Sequence, residues 1–321
     1  MSRARRTLVA VAVSLLALAL LAGAGIALTW SPDLPVSTLA PRWAAPPSAF
    51  IEVGGLNVHY RDEGPRNDPA PIVLLHGTSS SLHTWDGWAD ALRGTRRVVR
   101  FDLPGFGLTG PNASADYSDA AYVIFVLRML DALKLPRVVL GGNSLGGAIA
   151  WQTAVAAPER VAQLILVDAG GYAFEATSVP IGFRVARVPG LRSVMRYVLP
   201  RSVVESSVRN VFGDPARVTP ELVDRYVAMT LRAGNREALA QRMAQLNGGQ
   251  NVGGLRTLTQ RTLVMWGGRD RLIPPAHAQQ FVRDISGSTL VMFDDLGHVP
   301  QEEDPQRTVL AVQRFLGGGG A

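Results

Sequence analysis

A serine hydroxyl attacks a carbonyl only when a base takes its proton, so the first residues to find are a serine in an unusual backbone setting and a histidine to serve it. Ser144 stands in Gly142-Asn143-Ser144-Leu145-Gly146, the G-x-S-x-G pattern of a sharp strand-to-helix turn. The turn is tight enough that the residues two before and two after the serine must be small, hence Gly142 and Gly146. The helix that follows offers unpaired N–H groups and the positive end of its dipole. Five histidines are available. His298, in Asp295-Leu296-Gly297-His298, falls on a loop between the last expected strand and the last expected helix, at the same sheet end as Ser144. His76 also ends a strand, but it opens the turn at Gly77 and is expected to hold that turn by hydrogen bonds. His59, His83 and His277 read as packed or surface side chains.

A catalytic imidazole needs an acceptor on its second nitrogen to fix its tautomer and orientation. Asp270 follows an expected strand in Trp266-Gly267-Gly268-Arg269-Asp270 and is assigned that role, giving the chain order Ser…Asp…His. Asp168, at the end of the preceding strand, is the competing acid. A tetrahedral oxyanion needs two donors, expected from the backbone N–H groups of Leu145 and Thr78. The turn Asp102-Leu103-Pro104-Gly105-Phe106-Gly107 reads as a structural loop beside the site, with Phe106 within reach of substrate. No metal or organic cofactor is implied, and the chain contains no cysteine to act as thiol nucleophile, disulfide or zinc ligand.

These side chains need a scaffold. From residue 50 the pattern alternates strand and helix, beginning with a hairpin around Gly54-Gly55. Expected strands cover 71–75, 97–101, 138–142, 164–168, 262–266 and 289–293. Their continuous apolar character implies a mostly parallel sheet covered on both faces. Between about 171 and 250 the alternation lapses into helices, with a clean start at Thr219-Pro220-Glu221. That stretch reads as a cap. Phe174, Phe183, Val188, Met195 and Phe212 are its apolar candidates, mostly for its own core. It holds eleven arginines against six acids, so much of the net charge of +6 lies there.

Ahead of the domain, Arg3, Arg5 and Arg6 precede an uncharged run whose apolar heart is Leu8–Leu28. As a helix at 1.5 Å per residue it spans roughly 31 Å, enough to cross a bilayer. Residues 1–30 are therefore expected to be a transmembrane anchor, with a signal sequence cut near Ala22-Gly23-Ala24 as the alternative. The arginines stay cytoplasmic and the rest lies outside, secreted if the segment is cleaved. Residues 31–49, with five prolines, are expected to be an extended linker, and 50–321 the catalytic domain. Nucleic-acid binding is not expected, because the arginine excess comes without a recognition motif.

Together these motifs resemble the α/β-hydrolase superfamily over roughly residues 50–316. The resemblance implies an eight-stranded, mostly parallel sheet with helices on both faces and a helical cap after the sixth strand. A serine at the elbow separates the chain from the dehalogenases and epoxide hydrolases of this fold, which use aspartate there. Gly142 to Gly147 is similar to the elbow of meta-cleavage C–C hydrolases, but Val299 follows His298 where those carry an aromatic. The expected function is hydrolysis of carboxylic esters, with small-molecule or lipid-like substrates, through an acyl-enzyme. C–C hydrolysis and a non-catalytic binding role on the same scaffold are the alternatives.

Overall fold

The computed structural model of the chain describes residues 3–173, 176–188, 197–246, 249 and 251–318. Eight strands form one sheet in the order β1-β2-β4-β3-β5-β6-β7-β8. They are β1 Ala49–Val53, β2 Leu56–Glu63, β3 Ile72–Leu75, β4 Val98–Phe101, β5 Val138–Asn143, β6 Val161–Val167, β7 Arg261–Gly267 and β8 Thr289–Phe293. The hairpin β1–β2 is antiparallel, and β2 meets β4 antiparallel; every later pairing is parallel.

The central strands are apolar on both faces because both faces are covered. Side chains alternate across a strand. Val73 and Leu75 of β3 join one core with Leu140, Leu164, Leu166 and Val264. Ile72 and Leu74 join the opposite core with Ile165, Val167, Leu263 and Met265. Helices Asp119–Ala132, Leu145–Ala156 and Ala276–Asp284 cover the first face; Asp86–Leu92 and Pro305–Gly317 cover the second. The eight-stranded sheet expected from the resemblance is thus present, with edges moved by one to three residues.

The cap follows β6. Helices Ile181–Ala186, Arg201–Val211, Pro220–Leu231 and Asn235–Ala244 lie between it and β7, with no strand among the described residues. Thr219 caps the third of these by accepting the Leu222 N–H at 3.2 Å. Leu199, Val204, Val208, Phe212, Val218 and Val223 form a separate apolar core inside the cap. Phe212 belongs to that core and Val188 is exposed, while Phe174 and Met195 lie outside the described residues.

The N-terminal region differs from expectation in one respect. Arg3–Leu28 is a single helix whose apolar window is unburied and which is long and apolar enough to cross a membrane. The following stretch is not an extended linker. Val36–Trp43 is a helix, and its Leu39 is buried with Leu108 and Met229. Prolines suggest extension, but Pro35 sits before the first turn, where a missing N–H costs nothing, and Pro41, inside the helix, is tolerated because the helix is docked. Leu34, Leu39 and Trp43 then supply an apolar face worth burying. The chain is docked even earlier. Trp30 bridges Val198 in antiparallel register and stacks on Tyr197 at 5.0 Å between ring centroids. Ser31 N–H donates to the Tyr197 carbonyl at 2.7 Å, and Asp33 pairs with Arg236.

Candidate active site

Ser144 has φ 55° and ψ −115°, left-handed backbone on a non-glycine residue. Such strain persists only where the surroundings over-determine it. Here the turn is locked on both sides. Ser144 N–H donates to the Val167 carbonyl at 3.0 Å, and its own carbonyl accepts the N–H groups of Ala148 and Gly170. The steric reason for the flanking glycines is direct. A Cβ on Gly142 would lie 2.2 Å from Gly146, and one on Gly146 would lie 2.1 Å from the Leu75 carbonyl oxygen. The serine is pinned where the helix Leu145–Ala156 begins, so Leu145 contributes an N–H from the first turn.

His298 lies after β8, and its Nδ1 is 2.7 Å from Asp270 Oδ2. Asp270 is held in turn, its Oδ1 accepting the N–H groups of Leu272 at 2.8 Å and Ile273 at 3.0 Å. Both side chains are buried. Ser144 and His298 line the same cavity of about 240 Å³, together with Thr78 and Leu145. Among the described residues no hydrogen bond joins the Ser144 hydroxyl to the imidazole. Catalytic hydrogen bonds of this kind are often long before substrate binds. The loop bearing Thr78 presses on the elbow, since a Cβ on Gly77 would come within 3.2 Å of Ser144 Cβ. The cavity wall is mainly apolar, with Phe183, Leu199, Val203, Val208 and Leu239 of the cap opposite Ala148. Of its charged residues, Arg242 is paired with Asp119 and donates to the Tyr117 carbonyl.

The other histidines take the structural places expected of them. His76 accepts the Leu103 N–H at Nε2 while Nδ1 lies 2.8 Å from the Gly77 carbonyl, and burial holds its pKa below the ordinary range. His59 is buried against Asp102, whose carboxyl is held well below the usual range by that neighbour's hydrogen bond and by His76 and His83. His83 bonds Ser81 and the Trp43 carbonyl, and burial pulls it down to about 3. Phe106 does not line the main cavity. It turns edge-on to His76 at 5.9 Å, within the turn.

Two positioning residues escape a reading of the sequence. Asn143 Nδ2 donates to the His298 carbonyl at 2.9 Å and to the Val167 carbonyl at 3.2 Å, tying serine and histidine loops together. Glu303 accepts three backbone N–H groups, from Gly297, Gly213 and Asp214, at 2.7–2.9 Å. That carboxylate clamps the histidine loop to the cap. Asn143 carries a signal, being inside the elbow motif; Glu303 carries none, because its partners are all backbone groups.

Asp168, the competing acid, ends up beside the same pair. Its Oδ1 accepts the Gly267 N–H at 2.9 Å. Polar atoms of Asp168, Asp270 and His298 lie within 4.8 Å of one another, a spacing that would suit a metal ion. The donors are already committed, however: both Asp270 oxygens and His298 Nδ1 are engaged in the bonds just described.

Comparison with known proteins identifies the family. The family model for the alpha/beta hydrolase fold matches residues 70–305, and the chain belongs to that family. The chain is a hydrolase, although its relatives also include a dihydrolipoyllysine-residue acetyltransferase component of the acetoin cleaving system of Cupriavidus necator, 30% identical over 291 residues, covering 89% of this chain and 73% of that one. It is 32% identical over 283 residues to a 2-hydroxy-6-oxo-2,4-heptadienoate hydrolase of Pseudomonas putida, covering 83% of this chain and 95% of that one. Among solved structures it resembles the meta-cleavage product hydrolase CumD of Pseudomonas fluorescens, with TM-score 0.73, 26% identity, and 85% and 98% of the two chains covered. It also resembles a membrane phospholipase A described as a bacterial virulence factor, with TM-score 0.72, 25% identity and 98% of both chains covered.

Proposed function

We propose that the chain is a serine esterase in which Ser144 is the nucleophile, His298 the base and Asp270 the acid that orients it. The observation that carries this reading is one apolar cavity onto which both Ser144 and the Asp270-bound His298 open. In the first half-reaction His298 takes the hydroxyl proton as Ser144 attacks the ester carbonyl. The Leu145 and Thr78 N–H groups receive the oxyanion. His298 then hands its proton to the departing alcohol, leaving an acyl-Ser144. Water, deprotonated by the same imidazole, releases the acid. The apolar wall favours an acyl chain, and the similarity to a membrane phospholipase over nearly the whole chain supports an amphiphilic, lipid-like ester.

The helix Arg3–Leu28 is proposed to anchor the enzyme with its catalytic domain on the outer face; the alternative, cleavage within that helix, would release the domain. Carbonate washing of membranes separates these outcomes. A fluorophosphonate probe tests the chemistry: the native protein should label and Ser144→Ala should not. p-Nitrophenyl esters of graded length should then give burst kinetics. The second reading, C–C hydrolysis of a meta-cleavage product, is favoured by the names of the relatives. A dienoate substrate turned over faster than any ester would replace the ester assignment.

A further inference from the structure

We infer that Asp168 is a fourth, positioning member of the site: a neutral carboxylic acid whose proton is directed at the Asp270 carboxylate. The inference rests on the triad proposed above. Its starting point is a buried oxygen without a donor. Asp168 is fully buried, and its Oδ2 receives no hydrogen bond although Oδ1 receives one from Gly267. The backbone is left-handed there too, at φ 44°, a strained setting for a residue other than glycine.

What faces that oxygen decides its state. From the loop after β7 comes Asp270, from the histidine loop His298, and from the helix Pro300–Glu303 the further negative charge of Glu303. Among the described residues no lysine or arginine pairs with Asp168 or Asp270. Two carboxylates in a dry site do not both ionise. Asp270 is the one equipped to be the anion, with two backbone N–H groups and an imidazole directed at it. Asp168 has one N–H and a bare oxygen, so it keeps the proton. Burial, and next the Asp270 charge, hold its carboxyl well above the usual range.

The arrangement has a chemical purpose. A second negative charge beside His298 would favour the imidazolium over the imidazole, and an imidazolium is no base. A neutral Asp168 limits the pair to one negative charge and steadies Asp270 by donating to it.

The test compares Asp168→Leu with Asp168→Asn, read as the pH dependence of kcat/KM on a p-nitrophenyl ester. Leucine removes the donor and leaves Asp270 more basic. The acid limb should move up by roughly half to one unit, and kcat should fall about tenfold with KM little changed. Asparagine keeps a donor and carries no charge, so it should rescue most of kcat and hold the limb within about 0.3 unit of the native protein. A limb that moves down in Asp168→Asn means a negative charge was lost, and the inference is overturned. Loss of activity in Asp168→Leu without movement of the limb means a structural role only, and it overturns the inference as well. If the leucine variant does not fold, the asparagine profile decides alone. Infrared difference spectra supply a readout independent of turnover: a protonated-carboxyl C=O band present in native protein and missing in Asp168→Asn supports the inference. Its absence from the native protein ends it, whatever the fate of the triad.

Discussion

Three side chains, the first more than a hundred residues from the other two, meet at one site, Ser144 and His298 on the cavity wall and Asp270 behind the imidazole, because each is fixed by backbone groups as well as by its neighbours. Asp270 is held by Leu272 and Ile273, the elbow by Val167, and the histidine loop by Asn143 and Glu303. Glu303 is therefore the residue most exposed to a conservative change. In Glu303→Gln one of the acceptor oxygens becomes an NH2 facing backbone N–H groups. We expect a loss of about 1–3 kcal/mol in stability and at least a tenfold fall in kcat, with labelling by the fluorophosphonate slowed but retained. Denaturant titration and labelling rates measure the two effects. At this scale the sequence is informative where the proposed roles demand a residue type at a motif position, and Ser144, His298 and Asp270 are indeed brought together. It is silent on Glu303, and on the contact between Asp168 and Asp270, which in sequence look like rivals for one role. Only the adjacency of β6 and β7 shows that the two acids meet.

Elements set the tolerances within which those side chains work. The β5–helix turn leaves no room for one extra carbon at Gly146, since the Leu75 carbonyl is rigid backbone. Gly146→Ala should cost about 3 kcal/mol or more and abolish labelling, seen as a lowered thermal midpoint and a silent probe. Strand and helix identities are legible because burial on both faces imposes unbroken apolar runs, as in β3 and β7. The helix Val36–Trp43 is not, because its prolines, Pro41 inside it included, argue for extension and only burial overrides them. Its partners Leu108 and Met229 come from the domain and the cap, a tertiary fact invisible locally. Removing residues 1–28 should accordingly leave a folded domain. Removing 1–43 should strip cover from Leu108 and Met229 and lower stability by roughly 2–4 kcal/mol, measurable by urea unfolding of the two truncated proteins.

For the whole molecule, buried histidines set the response to acid. His76 and His83 are held neutral by burial, with folded pKa values below the ordinary one, whereas in the unfolded chain they charge below about pH 6.5. The unfolded state then binds more protons, so stability falls as pH drops from that value; for His83 the loss between pH 7 and pH 5 is about 2 kcal/mol. Asp168 works in the opposite sense. Its raised pKa favours the folded state at low pH, and that contribution fades as pH rises through its folded range. Urea titrations at pH 7 and pH 5 should show His83→Gln losing about 2 kcal/mol less stability on acidification than the native protein. An unchanged pH response in His83→Gln would contradict this account.

The bridge between Trp30 and Val198 leaves almost no slack between the apolar helix and the roof of the cavity. Two residues beyond Leu28 reach at most about 7 Å, so a helix crossing a bilayer holds Tyr197 and Leu199 at the depth of the lipid headgroups. Leu199 is itself part of the cavity wall. A poorly soluble ester would then pass from leaflet to serine without a journey through bulk water. Lengthening the chain after Leu28 by a dozen glycine and serine residues should slow hydrolysis of vesicle-borne esters while sparing short soluble ones. Equal slowing of both would break the connection between moorage and supply.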